Sequence, residues 1–162
     1  MAQGFKTIET KRLVLRGIDV TDAELIVKWR SVPDVYKYFK SPHKITLEEH
    51  LNWYNFNYIS NANRFDWICT EKMSRNRIGV FGLYRQKENV EVNYLLAPEW
   101  QHKGYAAEAI QALINFATIE WNNKQVIAEI HIENQPSIEL VQKLGFELIS
   151  RRDSFVIYGI KV

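Results

Sequence analysis

The run Glu91-Val92-Asn93-Tyr94-Leu95-Leu96-Ala97-Pro98-Glu99-Trp100-Gln101-His102-Lys103-Gly104-Tyr105-Ala106-Ala107-Glu108 carries the groups best spaced for chemistry. It reads as a strand, a short polar turn and a long amphipathic helix. Alternation along the strand sets Val90, Val92 and Tyr94 on one face and Glu91, Asn93 and Leu95 on the other. A carboxylate that can take a proton and an amide that can touch a ligand therefore share a face, which could equally be a solvated one. The turn Gln101-His102-Lys103-Gly104-Tyr105-Ala106 presents N–H groups at a helix N-terminus, an arrangement suited to a phosphate or pyrophosphate. Gly104 permits close approach of the backbone and Ala106 keeps the helix start narrow. Taken alone, such a turn is also an ordinary strand-to-helix connection.

A second run, Asn134-Gln135-Pro136-Ser137-Ile138-Glu139-Leu140-Val141-Gln142-Lys143-Leu144-Gly145-Phe146, lies downstream. In this order the two runs resemble the GCN5-related N-acetyltransferase (GNAT) superfamily, and most of all its branch of ribosomal-protein N-terminal acetyltransferases. The resemblance covers nearly the whole chain. It implies that Gln101, His102, Lys103, Gly104, Tyr105 and Ala106 hold the pyrophosphate of acetyl-CoA. It implies that Leu95, Leu96 and Ala97 mark a strand end where two parallel strands splay, so that the pantetheine amides add as a short strand. Asn134 matches an Asn that holds the cofactor or orders the loop, and a locally satisfied turn is its other reading. The family usually has Gly at the second position of the loop, where this chain has His102. If that position needs a positive φ, His is less easy than Gly but allowed. Alternatively, His102 points outward to a CoA phosphate.

Acetyl transfer to an amine needs a neutral amine, a donor to the developing oxyanion and a proton or hydrogen bond for the leaving thiolate. Many members of the family serve the thiolate with a Tyr on the last helix. The register puts Val141 there, which does no proton chemistry. The branch with Asn-x-x-Ser supplies a hydroxyl instead, and Ser137 matches it; an N-cap serine is the competing reading. Glu91 matches a Glu of the same branch and is the candidate base, directly or through water. Asn93 replaces the family's usual small residue, so its side chain is expected to touch the substrate. The main-chain N–H near Tyr94 or Leu95 is placed to polarise the thioester carbonyl. His131 would border the cleft or be structural.

In this family the acceptor is chosen mostly by the first two helices, here with Trp29 and Arg30. The run Glu49-His50-Leu51-Asn52-Trp53-Tyr54 looks like a segment of sugar-nucleotide amine N-acetyltransferases and, more loosely, of protein N-terminal ones. The favoured acceptor is a small primary amine such as an amino sugar or sugar nucleotide. The alternatives are a ribosomal-protein-type N-terminus and, from another class, a non-catalytic acyl-CoA-binding sensor. Trp29 and Trp53 could equally just pack helices on the sheet. His43, His50 and His131 lack metal-site spacing, and no metal is expected. Without a Ser-His-Asp or Cys-His arrangement, direct attack in a ternary complex is the simpler reaction. Cys69, between apolar neighbours, reads as core.

These groups need elements to hold them. Strands are expected near 12–16, 65–70, 77–84, 90–96, 125–132, 146–150 and 155–162. Thr21-Asp22-Ala23-Glu24 and Thr46-Leu47-Glu48-Glu49 have the capping-box form, each opening a helix. The helix after Gly104 places Ala106, Ala109, Ile110, Leu113, Ile114 and Ala117 on one face, and Asn122-Asn123 ends it. Pro136 suits the first turn of a last helix that Gly145 terminates. This order implies an α+β architecture, and the resemblance makes it a GNAT fold: a mixed, mostly antiparallel sheet of six or seven strands with four flanking helices.

One domain over residues 1–162 is the default at this length, with no repeat or linker. Hydrophobic content of 46% and charged content of 25% describe an ordinary globular protein. No apolar run approaches the ~20 residues of a membrane span, and the first residues lack a signal-peptide apolar region. The single cysteine excludes an internal disulfide framework and suits a cytoplasmic location. A net charge of +2 gives no reason to expect nucleic acid as a partner. A monomer or homodimer is expected.

Overall fold

A computed structural model describes residues 6–162; the first five residues of the expected domain lie outside the described residues. The chain runs β1 (Ile8–Glu9), β2 (Leu13–Gly17), α1 (Ala23–Arg30), α2 (Pro33–Tyr36), α3 (Leu47–Trp53), β3 (Arg64–Glu71), β4 (Arg77–Arg85), β5 (Val90–Leu96), α4 (Tyr105–Trp121), β6 (Gln125–His131), α5 (Gln135–Lys143), β7 (Glu147–Arg152) and β8 (Phe155–Lys161). Among the described residues the strands form one sheet of eight in the order β1-β2-β3-β4-β5-β6-β8-β7. Each neighbouring pair is antiparallel except β5 with β6, which run parallel.

The count exceeds expectation by one strand and one helix, and both are too short to show a period. β1 has two residues, paired at Ile8↔Leu15 and Glu9↔Val14. α2 is a single turn that Pro33 starts with its preset φ.

Two layers of helix cover the sheet. On one face α4 buries Ala109, Ile110, Leu113, Ile114 and Ala117, and α5 buries Ile138 and Val141, against strand residues that include Trp67, Phe81, Leu83, Val126 and Val156. Three of the seven helix positions, Ala109, Ala117 and Val141, are alanine or valine, which lets the helices lie close to the strands. Asn122, at φ +50°, ends α4 in the left-handed region. On the other face Ile26 and Trp29 of α1 pack with Ile18, Tyr58 and Ile68. No helix among the described residues is long and apolar enough to cross a membrane.

The capping box at Thr46 forms as expected: Glu49 N–H donates to Thr46 Oγ1 at 3.1 Å and Thr46 N–H to Glu49 Oε2 at 2.7 Å. The one expected at Thr21 is displaced two residues. Asp19 caps a short 3-10 turn over Val20–Asp22, and Asp22 answers its backbone N–H at 3.0 Å, so α1 begins at Ala23. Asp22 is fully buried because Arg16 (2.8 Å) and Arg77 (3.0 Å) reach it from β2 and β4.

Candidate active site

β5 and β6 pair only at Val90↔Val126 and Glu91↔Ile127. Beyond those pairs each strand follows its other neighbour, β5 along β4 to Leu96 and β6 along β8 to His131. The two therefore part, and their facing backbone edges lack a strand partner. Into this opening runs a cavity of about 860 Å³, walled by Val92 to Leu96 on one side and Ala128 to His131 on the other. The starts of α4 and α5 and the rings of Tyr38 and Phe39 complete the lining.

At one end lies the loop into α4. His102 has φ +63° and Gly104 φ +82°, so the chain enters the left-handed region twice. A curl of this kind can gather successive N–H groups beside the first-turn N–H groups that a helix leaves without internal acceptors. Gly104 is favoured by its φ, and a Cβ there would stand a tight 3.3 Å from the Arg12 guanidinium. Arg12 pins the loop: Nε meets Glu108 Oε2 at 2.7 Å, a second nitrogen donates to the Lys103 carbonyl at 3.0 Å, and the guanidinium lies 4.2 Å from the Tyr105 ring centroid. Burial opposes ionisation of Glu108, but hydrogen bonds from Thr10 and Arg12 hold its carboxyl below the usual range. A cationic curl of free amides fits a pyrophosphate, and an open strand edge fits an amide-bearing arm.

At α5 the N-cap is Asn134, whose Oδ1 accepts from Ser137 N–H at 3.4 Å. Ser137 is thus not the cap. Its Oγ accepts a 2.7 Å hydrogen bond from the Tyr94 hydroxyl. Burial pushes the Tyr94 phenol up to about 12, an effect that the bond to Ser137 opposes. Val141 is fully buried in the core.

Of the residues singled out in the sequence, Asn93, Leu95, Leu96, Gln101, His102, Gly104, Tyr105, Ala106, His131, Asn134 and Ser137 line the cavity. Five do not. Ala97 is buried in the second core, its N–H donating to the Ile78 carbonyl at 2.8 Å. Lys103 turns its ammonium over the Trp100 ring, 5.0 Å from the centroid. Trp29 packs in the core with Ile26 and Tyr58, which removes it from reach of a ligand in the cleft. Arg30 lies beyond Phe39, 5.4 Å from that ring. Glu91 stands in the last β5–β6 pair, opposite Ile127, and accepts from Gln86 Nε2 at 3.1 Å. Burial and then the Glu129 carboxylate raise its carboxyl above the usual range, with Lys40 and Arg64 opposing.

Sequence reasoning missed Glu129 and the Tyr94 hydroxyl. Alternation in β6 puts Ile127, Glu129 and His131 on one face, but only the parallel pairing with β5 shows that this face also holds Glu91 and Asn93. Glu129 binds the Lys40 ammonium at 3.0 Å. Glu133 N–H donates to His131 Nδ1 at 3.1 Å, so Nε2 carries the ring proton of a neutral His131.

The sequence pattern of the acetyltransferase (GNAT) domain matches residues 12–147. The chain belongs to the GNAT acetyltransferase family. As in that family generally, it is an N-acetyltransferase that uses acetyl-CoA as co-substrate. It is 32% identical over 149 residues to the N-acetyltransferase YnaD of Bacillus subtilis (strain 168), covering 91% of this chain and 84% of that protein. It is 25% identical over 145 residues to the spermidine N(1)-acetyltransferase of Vibrio cholerae, covering 83% of this chain and 79% of that one. A GNAT-family acetyltransferase structure from Bacillus anthracis superposes with a TM-score of 0.83 at 23% identity, covering 96% of this chain and 98% of that one. It shares the fold described above.

Proposed function

We propose that the acceptor is a small molecule with a primary amine, delivered to the sheet face that carries Glu91, Asn93 and Glu129. The observation behind this reading is the position of Glu91: a desolvated carboxylate beside Glu129, at the point where β5 and β6 begin to part. A carboxylate whose proton affinity is raised toward neutrality is suited to take a proton from an ammonium. The free amine then attacks the thioester carbonyl. The developing oxyanion faces the unpaired backbone edge of β5 near Tyr94 and Leu95. Collapse of the tetrahedral species expels the CoA thiolate, and the nitrogen sheds its second proton to solvent to leave the amide. Ser137, resupplied by the Tyr94 phenol at 2.7 Å, gives the sulfur its proton.

In this reading, the curled loop from Gln101 to Ala106 takes the pyrophosphate, and the open edges of Leu95 and Leu96 take the pantetheine. Tyr38 and Phe39 offer the cleft two aromatic rings, suited to the apolar face of an amino sugar. A second reading, a polyamine, draws on Glu129, whose carboxylate already holds an ammonium, that of Lys40. The relative that is named for spermidine supports a small amine over a protein N-terminus.

The test is CoA release from acetyl-CoA with amino sugars, nucleotide-linked amino sugars, polyamines and N-terminal peptides. Turnover confined to amino sugars and their derivatives, or to polyamines, supports a small-amine acceptor. Turnover of peptides alone overturns it. Tight acetyl-CoA binding without turnover of any of these amines places the acceptor outside these classes and overturns the small-amine reading.

A further inference from the structure

Beyond the end of the cleft the sheet carries a row of three residues in register, Asp66 on β3, Gly82 on β4 and Asn93 on β5. The glycine makes the row a recess. A Cβ at Gly82 would collide with Asp66 Oδ1 and stand 2.8 Å from Asn93 Oδ1, so both side chains lean into the space over the bare backbone. Asp66 is 1% exposed. Its Oδ2 accepts from Arg64 Nε at 2.9 Å, whereas Oδ1 has no hydrogen-bond partner.

The helices above repeat this imbalance. His50 of α3 is 2% exposed and its Nδ1 is likewise unpartnered. Its ring packs tilted against Trp53, with centroids 5.4 Å apart, and the Arg64 guanidinium lies 5.0 Å from the Trp53 ring. Arg30, at the end of α1, has no hydrogen-bond acceptor among the described residues; its guanidinium lies 5.4 Å from the Phe39 ring. Burial and the like charge of Arg64 press on its ionisation, while Asp66 and Glu49 support it. Glu49 is occupied in capping α3, and Asp66 is taken by Arg64. Arg30 is left as the cation without a counter-charge of its own. Burial and then Arg30 hold His50 below its ordinary range, hence neutral.

Two residues join this recess to the cleft. Asn93 and Phe39 each line the cavity and each touch the recess, Asn93 over Gly82 and Phe39 against Arg30. A ligand in the cleft can thus extend one end toward Arg30. Partially desolvated guanidinium forks are suited to carboxylate and phosphate, which they hold through two parallel hydrogen bonds. Buried polar atoms without partners are rare in native proteins, and here two of them belong to Asp66 and His50, whose side chains lie close enough to Arg30 to interact with its charge.

We infer that Arg30, with Asp66 Oδ1, His50 Nδ1 and Asn93 around it, forms a subsite for an oxyanion on the acceptor, carboxylate or phosphate, next to a hydrogen-bonding group of the same molecule. The acceptor is then a primary amine that also carries a negative charge. This rests on the reading of the cleft as the acceptor site. It separates a phosphorylated amino sugar or an amino acid from a polyamine, which brings only positive charge to Arg30.

Binding is read without turnover. With CoA saturating the protein, so that the loop at Gly104 is filled, inorganic phosphate and acetate are titrated while the indole N–H of Trp53 is followed by NMR. A saturable shift with either anion in the wild type, absent in Arg30→Gln, is expected; phosphate against acetate tells which oxyanion fits. No shift in the wild type, or the same shift in Arg30→Gln, overturns the subsite. If Arg30→Gln proves unfolded by circular dichroism, Arg30→Lys replaces it. That variant keeps the charge and loses the fork, so anion affinity should fall about tenfold, the worth of one charge-assisted hydrogen bond. Unchanged affinity overturns the proposal.

Kinetics supply the second arm. Glucosamine 6-phosphate is compared with glucosamine, and lysine with cadaverine. The anionic member of one pair should have a kcat/KM at least about tenfold higher. In Arg30→Gln that ratio should fall to near one while acetyl-CoA affinity holds. Turnover with no preference for the anion overturns the subsite. Anion binding at Trp53 with no acetylation of any amine leaves the subsite standing and removes the acceptor reading instead.

Discussion

The Tyr94 hydroxyl donates to Ser137 Oγ at 2.7 Å across 43 residues of sequence, tying β5 to the first turn of α5. Because Asn134 caps that helix, the two roles open to Ser137 separate cleanly. Ser137→Ala should lower kcat by well over tenfold if the hydroxyl passes a proton to sulfur, the scale of one positioned donor. It also removes the partner of a half-buried phenol, at about 1 kcal/mol of stability. Rates are therefore compared at a temperature where both proteins are folded. Tyr94→Phe should slow turnover too, and the double variant should be little worse than the slower single one, as for two groups acting in series. Wild-type kcat in Ser137→Ala removes Ser137 from the reaction.

Protonation of Glu91 sets the pH dependence. The base must be ionised to work, and burial, followed by Glu129, raises its carboxyl above the ordinary value. Activity should therefore climb with pH through a midpoint above the usual glutamate range. Glu91→Gln should lower kcat by about 10²-fold and flatten that limb. Glu129→Gln removes a like charge, so the limb should shift to lower pH with Glu91 intact. A limb that does not move in Glu129→Gln places its origin elsewhere.

In the loop before α4 the two left-handed residues differ in what they tolerate. His102→Gly keeps the φ of +63° at no steric cost, and acetyl-CoA affinity should hold. His102→Val puts a β-branched side chain in that region and should weaken binding. Gly104→Trp sets bulk at φ +82° against Arg12 and should abolish most of the affinity with the fold retained. Calorimetry on the three folded variants reads all of these. Full affinity in Gly104→Trp would place the phosphates elsewhere.

Asp22 supplies a stability test independent of catalysis. Its burial raises the carboxyl, but the hydrogen bonds from Arg16, the Asp19 backbone and Arg77 outweigh that and leave it below the ordinary 3.8. A folded value below the unfolded one stabilises the protein above the unfolded pKa, and this contribution is lost as pH falls through the folded value. Asp22→Asn should be less stable near pH 7, by about 3 kcal/mol for a broken buried pair. The gap should shrink in denaturant melts taken at progressively lower pH below the ordinary aspartate value. A gap that stays constant with pH would show that the pair is not the source.

Local signals in the sequence read well because they depend on neighbours. Thr46 and Glu49 form the expected box, Asn122 ends α4, and Gly145 follows α5 at φ +94°. Ahead of α1 the cap is Asp19 and not the expected Thr21, because Asp22 turns back to accept from the Asp19 N–H. What required distant partners stayed hidden. The burial of Trp29 under α1 depends on Tyr58 and Ile68. The recess over Gly82 exists only because β3, β4 and β5 place Asp66 and Asn93 on either side of it. Of the residues first singled out, most reach the cleft, since they lie on the two strand-to-helix turns that bound it.

The parting of β5 and β6 has a consequence for how such a protein diversifies. An edge of amide groups is supplied by any residue able to sit in a strand, so the features proposed to grip the donor tolerate changes of side chain. The features proposed to choose the acceptor are side chains, few in number, on other elements: Arg30 on α1, His50 on α3, Asp66 on β3. One or two substitutions there can trade one amine for another while the donor end stays as it is.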